Sequence, residues 1–451
     1  MASLIKLFYF FIFIFILPSC SFKNPAGFFE DQQKELEKEI AKKNSKLVFI
    51  ESKKFTKEVK GIFEGKLIKP INNISWLEKN FTPNNYIPHL EYNDTKSLFY
   101  KSKKLGKNKF NISGLSFEPI VFENNIFLYD LSGNIFKFSI EKRKLIWKFN
   151  FYKKRYKNIP IQIKFKITNN NLVVSDNLGY LYKLKIDSGD LVWAKNYGVP
   201  FKSNIKTKDS NIFLLNQDNK FYIVGENDGE TLINFETFPS LLKSQQETNI
   251  SLDPIKNSIY FITSTGRFYS INYKTKNINW LLNLSMTTTN RETGGKLFFS
   301  SPIIHYEDKI FLSNSVSTFS IDSKNGFINW ELPFSTSLRP IVTKNFLVFA
   351  SKNGFILNLD PRTGKVLWSK NLFQNNKKFK IDKIGSIQSL LLISNKILAT
   401  TTKGFFLFID YKDGKILNYT KASGSGFFSA PSLAGGKIYI VDKKMKILVF
   451  D

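Results

Sequence analysis

Two histidines, one cysteine and a set of recurring aspartates are the side chains of this chain best suited to chemistry. His89 and His305 lie far apart, and neither has a second histidine at the short spacing a metal needs. Cys20 stands alone, so neither an intramolecular disulfide nor a cysteine-cluster metal site can form. Asp187, Asp322, Asp360 and Asp410 sit where strand-like runs end and recur with similar neighbours. Turn residues behave this way when they close their own loops. No glycine-rich phosphate loop and no nucleophile elbow occurs. The chain is therefore expected to have no catalytic residue, no metal site and no bound cofactor.

The elements that would position these residues come from a repeat. Ser188-Gly189-Asp190-Leu191-Val192-Trp193 recurs as Asn325-Gly326-Phe327-Ile328-Asn329-Trp330 and as Thr363-Gly364-Lys365-Val366-Leu367-Trp368. In weaker copies a basic residue, Arg143 or Lys276, replaces the glycine before Trp147 and Trp280; at residues 414–418 the glycine stays and the tryptophan is lost. Each unit opens with an apolar run, passes a tight turn, and continues as an alternating strand. A second turn then leads to the strand that carries tryptophan. Glycine supplies the positive φ of such turns. In the second strand of one unit, Tyr180, Tyr182, Leu184 and Ile186 share a face, which predicts one buried side per strand.

The first turns fall at Gly133, Gly179, near Asn219, Gly266, near Ser317, Gly354, Gly404 and near Lys444. Their period of roughly 44 residues is that of a four-stranded propeller blade. The expected fold is all-β: an eight-bladed β-propeller of four-stranded antiparallel blades over residues 71–451. The third unit is worn, with Ile233-Asn234-Phe235 where tryptophan belongs, and the last unit, from Phe428, stops one strand short. An unclosed ring exposes an edge, so an N-terminal strand is expected to complete it. Asn73-Ile74-Ser75-Trp76 is the expected donor, a free-ended solenoid being the alternative. Trp147, Trp193, Trp280, Trp330 and Trp368 are expected to pack between blades.

The first residues read as an address. Lys6 precedes an apolar run over residues 7–17, too short for the about 20 residues of a transmembrane helix and suited to a secretory signal. Leu17-Pro18-Ser19-Cys20 resembles a bacterial lipobox, which makes residues 1–19 a signal peptide and Cys20 the expected site of lipidation and anchoring. Ser21, by resemblance to bacterial lipoprotein sorting, favours the outer membrane. Residues 20–70 are expected to form a tether or a partner-binding segment. Within it, residues 30–43 are helical in pattern, with Leu36 and Ile40 on one face.

The net charge is +29. For an exported chain without a nucleic-acid signature, nucleic acid is not an expected partner. The lysines are spread over every unit. They fit a solvated surface of biased composition or attraction to acidic membranes and partners.

The phrase Asp360-Pro361-Arg362-Thr363-Gly364-Lys365-Val366-Leu367-Trp368 resembles the tryptophan-docking repeats of quinoprotein (PQQ-like) propellers. Eight such units behind a lipobox resemble the BamB family of outer-membrane protein assembly factors. The lead-in from Trp76 to Asn84-Asn85-Tyr86-Ile87-Pro88-His89-Leu90 is similar to that of the family in one branch of Gram-negative bacteria. The resemblance covers about residues 71–451. It implies a non-enzymatic scaffold on the periplasmic face of the outer membrane. Such a scaffold binds the POTRA domains of BamA and other assembly-machinery subunits, and assists unfolded outer-membrane β-barrel proteins.

The family carries a Pro-Ser-Leu-x-Leu-Arg phrase after its third blade. Pro239-Ser240-Leu241-Leu242-Lys243 stands there with a one-residue slip and Lys for Arg, so the resemblance makes Leu241, Leu242 and Lys243 the expected partner contacts. Of the family's acidic pair in the next connector, Glu292 is the nearest counterpart. The alternatives are a PQQ-dependent quinoprotein dehydrogenase and a propeller lipoprotein that binds another envelope component. Many of those dehydrogenases carry a disulfide of adjacent cysteines, which one cysteine cannot make.

Overall fold

The computed structural model describes residues 55–95, 97–108, 110, 117–152, 156–238, 243, 247–286, 298–374 and 379–451. They build eight four-stranded antiparallel sheets, the blades of a β-propeller. Blade I consists of Ile120–Phe122, Asn125–Tyr129, Asn134–Ser139 and Lys144–Asn150 in sequential order. Blades II to VII occupy residues 163–196, 206–235, 250–283, 304–332, 341–371 and 387–421. The first strands of neighbouring blades adjoin one another, so they line the axis and the fourth strands form the rim.

Local chemistry explains the hairpins. Counted along the four strands, a blade's first turn joins strands one and two and precedes the glycine turn read from the sequence, which is the second. Many first turns have two residues at positive φ, as in Glu123-Asn124, Asn169-Asn170, Asp209-Ser210, Ser394-Asn395 and Gly435-Gly436. Two consecutive positive φ values match the twist of the flanking strands, and Asn, Asp and Gly tolerate them best. Part of the asparagine content thus has a structural use. In the second turns, a side chain at the strand end caps backbone N–H groups. Asp130 accepts from Ser132 and Asn134, Asp176 from Leu178 and Tyr180, and Asp442 from Lys444 and Lys446.

The one-buried-face expectation fails. In Tyr180–Lys185, Leu181, Tyr182, Lys183 and Leu184 are all buried. Each blade is sandwiched between two others, so both its faces are covered. The apolar cores are accordingly layers between blades, one spanning blades III and IV and another blades IV and V.

The ring closes with a different strand from the one expected. Leu98–Lys101 pairs antiparallel with Ile447–Phe450 and becomes the rim strand of blade VIII, whose other strands are Ser432–Ala434, Lys437–Val441 and Ile447–Phe450. A rim strand is exposed on its outer side, and Leu98 and Phe99 are indeed exposed. Trp76 is instead fully buried at the axis, paired with Val121 of the innermost strand of blade I. An indole stabilises far more there than on an exposed edge.

The stretch expected to be tether is docked from residue 55 onward. Phe55 N–H donates to Pro333 O at 2.7 Å, and its ring meets Phe355 edge-on. Val59 pairs with Ser369 on the rim strand of blade VI, and Phe63 packs on Phe346 and Tyr411 between blades VI and VII. No helix among the described residues is long and apolar enough to cross a membrane.

Candidate partner-binding face

Each blade sends its first and third turns to one end of the ring, the hairpin face. Its second turn and the connector to the next blade go to the other end, the connector face. Residues 71–94 close the axis from the hairpin face. Ile71 pairs with Leu90, so the segment leaves and returns at one place. Between these ends it visits the inner strands in ring order. Asn73 Nδ2 donates to Leu433 O of blade VIII at 2.5 Å, and Leu77 O accepts from Ile167 N–H of blade II at 2.9 Å. Asn85 Nδ2 donates to Ile250 O (2.9 Å) and to Ile303 O (2.7 Å) beside blades IV and V, and Leu90 N–H donates to Leu392 O of blade VII at 3.0 Å.

Charge fixes the plug as well. The Glu78 carboxylate, buried at the axis, takes Lys166 Nζ of blade II and Lys206 Nζ of blade III, each at 3.0 Å. Burial draws the Lys206 ammonium below its ordinary value, against the pull of Glu78. His89 Nδ1–H donates to Ile68 O at 2.7 Å, and Nε2 accepts from Asn395 N–H at 2.9 Å. Burial lowers the His89 pKa, which suits the neutral ring that these two bonds require.

On the connector face the axis ends in mixed charge. Glu118 accepts from Trp76 Nε1–H (3.0 Å) and Asn80 N–H (2.8 Å), and desolvation raises its pKa against the pull of Lys79 and Arg339. Lys79 pairs with Glu247 at 2.5 Å. Desolvation brings Lys164 down to about 8 and Arg339 down to about 10. The cavity left between Lys79, Glu118, Lys164 and Asn204 is about 20 Å³, room for a water and far below the several hundred Å³ of an ordinary cofactor site. Among the described residues no three His, Cys, Asp or Glu side chains are grouped to hold a metal. A tricyclic quinone with its calcium therefore does not fit this channel as it stands.

The connector after blade III leaves the rim beyond Phe235 and reaches the axis at Ile250. Its described ends are tied down. Glu236 pairs with Lys220 at 2.5 Å, Thr237 Oγ1 donates to Asn219 O, and the Arg267 guanidinium lies 4.3 Å over the Phe238 ring. Lys243 is exposed and pairs with Asp218 of the blade III second turn at 2.9 Å. Exposed pairs of this kind contribute at most about 1 kcal/mol, so the ammonium can exchange Asp218 for another acid. Leu241 and Leu242 lie outside the described residues, as do Glu292 and Cys20. The connector after blade IV leaves from the same face, with Phe298 packed at the second turn of that blade beside Gly266.

The five tryptophans occupy equivalent seams. Trp147, Trp193, Trp280, Trp330 and Trp368 each donate Nε1–H to a carbonyl in the third turn of the next blade, those of Ile186, Glu226, Ser323, Pro361 and Tyr411, at 2.9–3.2 Å. The same rings cover Gly189, Gly229, Gly326, Gly364 and Gly414. At two of the three seams without tryptophan, the opposing glycine is missing too. Ile233 holds the tryptophan register in blade III and the third turn of blade IV carries Lys276, while at the closing seam Tyr100 meets Arg143, whose guanidinium lies 5.6 Å over its ring. Asp322, Asp360 and Asp410 accept turn N–H groups, but the residue in register with them in blade II is Lys185, not Asp187. His305 is buried against Tyr260, 3.6 Å from Asp253. Residues 71–94 form the plug that sequence reasoning missed, although its lead-in from Trp76 to Leu90 was the signal.

Comparison with known proteins gives one family and several distant relatives. A family model described as outer membrane protein assembly factor BamB matches residues 131–370 and 349–451. An uncharacterized protein of Rickettsia prowazekii is 24% identical over 58% of this chain and 64% of its own length. The outer membrane protein assembly factor BamB of Shewanella oneidensis is 24% identical over 33% of this chain and 35% of its own. The chain thus spans less than two thirds of the curated relatives it matches. In fold it resembles BamB from Moraxella catarrhalis, with a TM-score of 0.59, 11% identity, and coverage of 73% of this chain and 94% of that one. It also resembles the quinohemoprotein alcohol dehydrogenase of Comamonas testosteroni, with a TM-score of 0.61, 10% identity, and coverage of 83% and 80%.

Proposed function

The chain belongs to the family described as outer membrane protein assembly factor BamB, and from that premise we propose that it is a non-enzymatic scaffold of the β-barrel assembly machinery. In this reading it is a lipoprotein held through Cys20 on the periplasmic side of the outer membrane. It binds the POTRA domains of BamA with its connector face and assists unfolded outer-membrane proteins. The observation that carries the choice of scaffold over dehydrogenase is the plug. Residues 71–94 occupy the axis of the ring, where the fold would otherwise leave a channel.

Leu241, Leu242 and Lys243 are the proposed contacts, with Lys243 as the exposed cation beside two leucines. Exchange of both leucines for glutamate is expected to abolish co-purification with BamA from detergent-solubilised envelopes. Unchanged recovery removes these residues from the reading. A thermal shift or spectral change on adding PQQ and calcium would favour the dehydrogenase.

A second reading concerns how clients are held, and one observation favours it. Val59 and Ser369 exchange backbone hydrogen bonds at 3.3 and 3.0 Å, so a rim strand of this ring accepts an extended segment. The rims of blades VIII, I and II leave Leu98, Phe99, Leu145, Ile146, Leu191 and Val192 exposed. An extended client strand would pair there by the same geometry. Photo-crosslinkers at Ile146 and Val192 that capture no unfolded barrel protein, while one in the plug does, would reverse this assignment.

A further inference from the structure

On the connector face, at the seam where the ring closes, a groove of about 590 Å³ opens over the second turn of blade I. One wall is the chain that follows the closing strand, with Lys104, Leu105, Gly106 and Lys107. The other is the end of blade I and the start of its connector, with Lys148, Asn150, Tyr152, Tyr156 and Lys157. Asp130 is the carboxylate among the lining residues. It is already saturated, accepting from Ser132 N–H, Asn134 N–H, Lys107 N–H and the Asn134 amide. The other polar groups are engaged as well. Tyr152 donates to Asp176, Tyr156 meets Tyr180, and the Asn150 amide donates to Ser132 O and Asn134 Oδ1. Among the described residues no acid pairs with Lys104, Lys107, Lys148 or Lys157, although Lys148 Nζ lies 5.8 Å over the Phe136 ring. Elsewhere on the surface lysines do find acids, as Lys195 with Glu230, Lys220 with Glu236 and Lys256 with Asp308.

We propose that this groove binds an acidic segment of a protein partner, with the four lysines facing carboxylates and Leu105, Tyr152 and Tyr156 carrying its apolar stems. Two features favour a peptide over a phosphate. The cations come from three separate chain segments, which suits several charges along a strand rather than one dianion. The volume is that of an extended ligand site, not of an ion nest. The proposal does not depend on which protein the connector after blade III contacts.

The test is binding of a fluorescent glutamate-rich peptide to the full chain, followed by anisotropy at low and at physiological salt. Lys107→Glu with Lys148→Glu is expected to weaken binding about tenfold, while Lys365→Glu, an exposed reversal on the opposite face, leaves it unchanged. Inorganic phosphate at millimolar concentration is expected not to displace the peptide. Equal losses in both variants would show general attraction to a basic protein and overturn the proposal. Absence of binding would do so too, as would full displacement by phosphate. Far-ultraviolet circular dichroism of the double variant keeps a folding defect from passing for a loss of binding.

Discussion

A Cβ placed on Gly364 would lie 2.6 Å from the indole of Trp330 on the preceding blade, and that indole donates its N–H to Pro361 in the same turn at 3.1 Å. The glycine therefore answers two demands: its φ of +72° and the closeness of the ring. Gly364→Ala is expected to destabilise the ring by about 2–4 kcal/mol in urea denaturation. Gly198 separates the two demands, since its φ is +71° with open space around it. Gly198→Ala is expected to cost only about 1 kcal/mol. Equal losses would assign the whole effect to backbone strain.

Two of the three seams without tryptophan give the converse. Lys276 holds a φ of +64° and Arg143 one of +51°, with no indole above either. Lys276→Gly is expected to stabilise by up to about 1 kcal/mol, because it relieves a strained φ and removes no docking contact. Arg143→Gly is expected to gain less, since it gives up the contact with Tyr100. A midpoint that falls for Lys276→Gly would show that its side chain matters to the seam.

Glu78 joins three parts of the molecule through two buried ammonium groups. Glu78→Gln leaves both cations buried without their counter-charge and is expected to cost about 3–5 kcal/mol. Adding Lys206→Met to Glu78→Gln is expected to recover part of that loss. No recovery would mean that the carboxylate acts mainly through packing.

His89 sets a pH dependence with a definite sign. Its folded pKa lies below the unfolded value of about 6.5. As pH falls through that value, the unfolded chain takes up a proton that the folded ring refuses. The stability His89 contributes is thus complete above the unfolded pKa and is lost as pH falls toward the folded one. His305 shifts the same way through burial, against the pull of Asp253. His89→Gln is expected to lower stability near pH 8 and to flatten its decline between pH 7 and 5. An unchanged slope in the difference between the two proteins would exclude His89 as its source.

The docked N-terminal segment is testable by exchange. Val59→Pro removes the N–H that reaches Ser369 and is expected to raise amide hydrogen exchange at Ser369, with a smaller change at Trp368, whose N–H lies inside the blade. Equal protection at Ser369 in both proteins would mean that residues 55–61 hold on through Phe55 and Phe63 alone.

The sequence alone determined the unit and its number. Turn residues and strand periodicity are local, so the glycine turns and the recurring tryptophans were enough to predict eight four-stranded blades. Three features needed the tertiary structure. Leu98–Lys101, not the segment at Trp76, closes the ring, because the choice depends on which stretch can reach Ile447–Phe450 from hundreds of residues away. Residues 71–94 read as an irregular lead-in, since their partners are inner strands of seven different blades rather than sequence neighbours. The matched loss of tryptophan and glycine also stays hidden along the chain. Each indole and the turn it covers belong to different repeats, and only closing the ring brings them into contact.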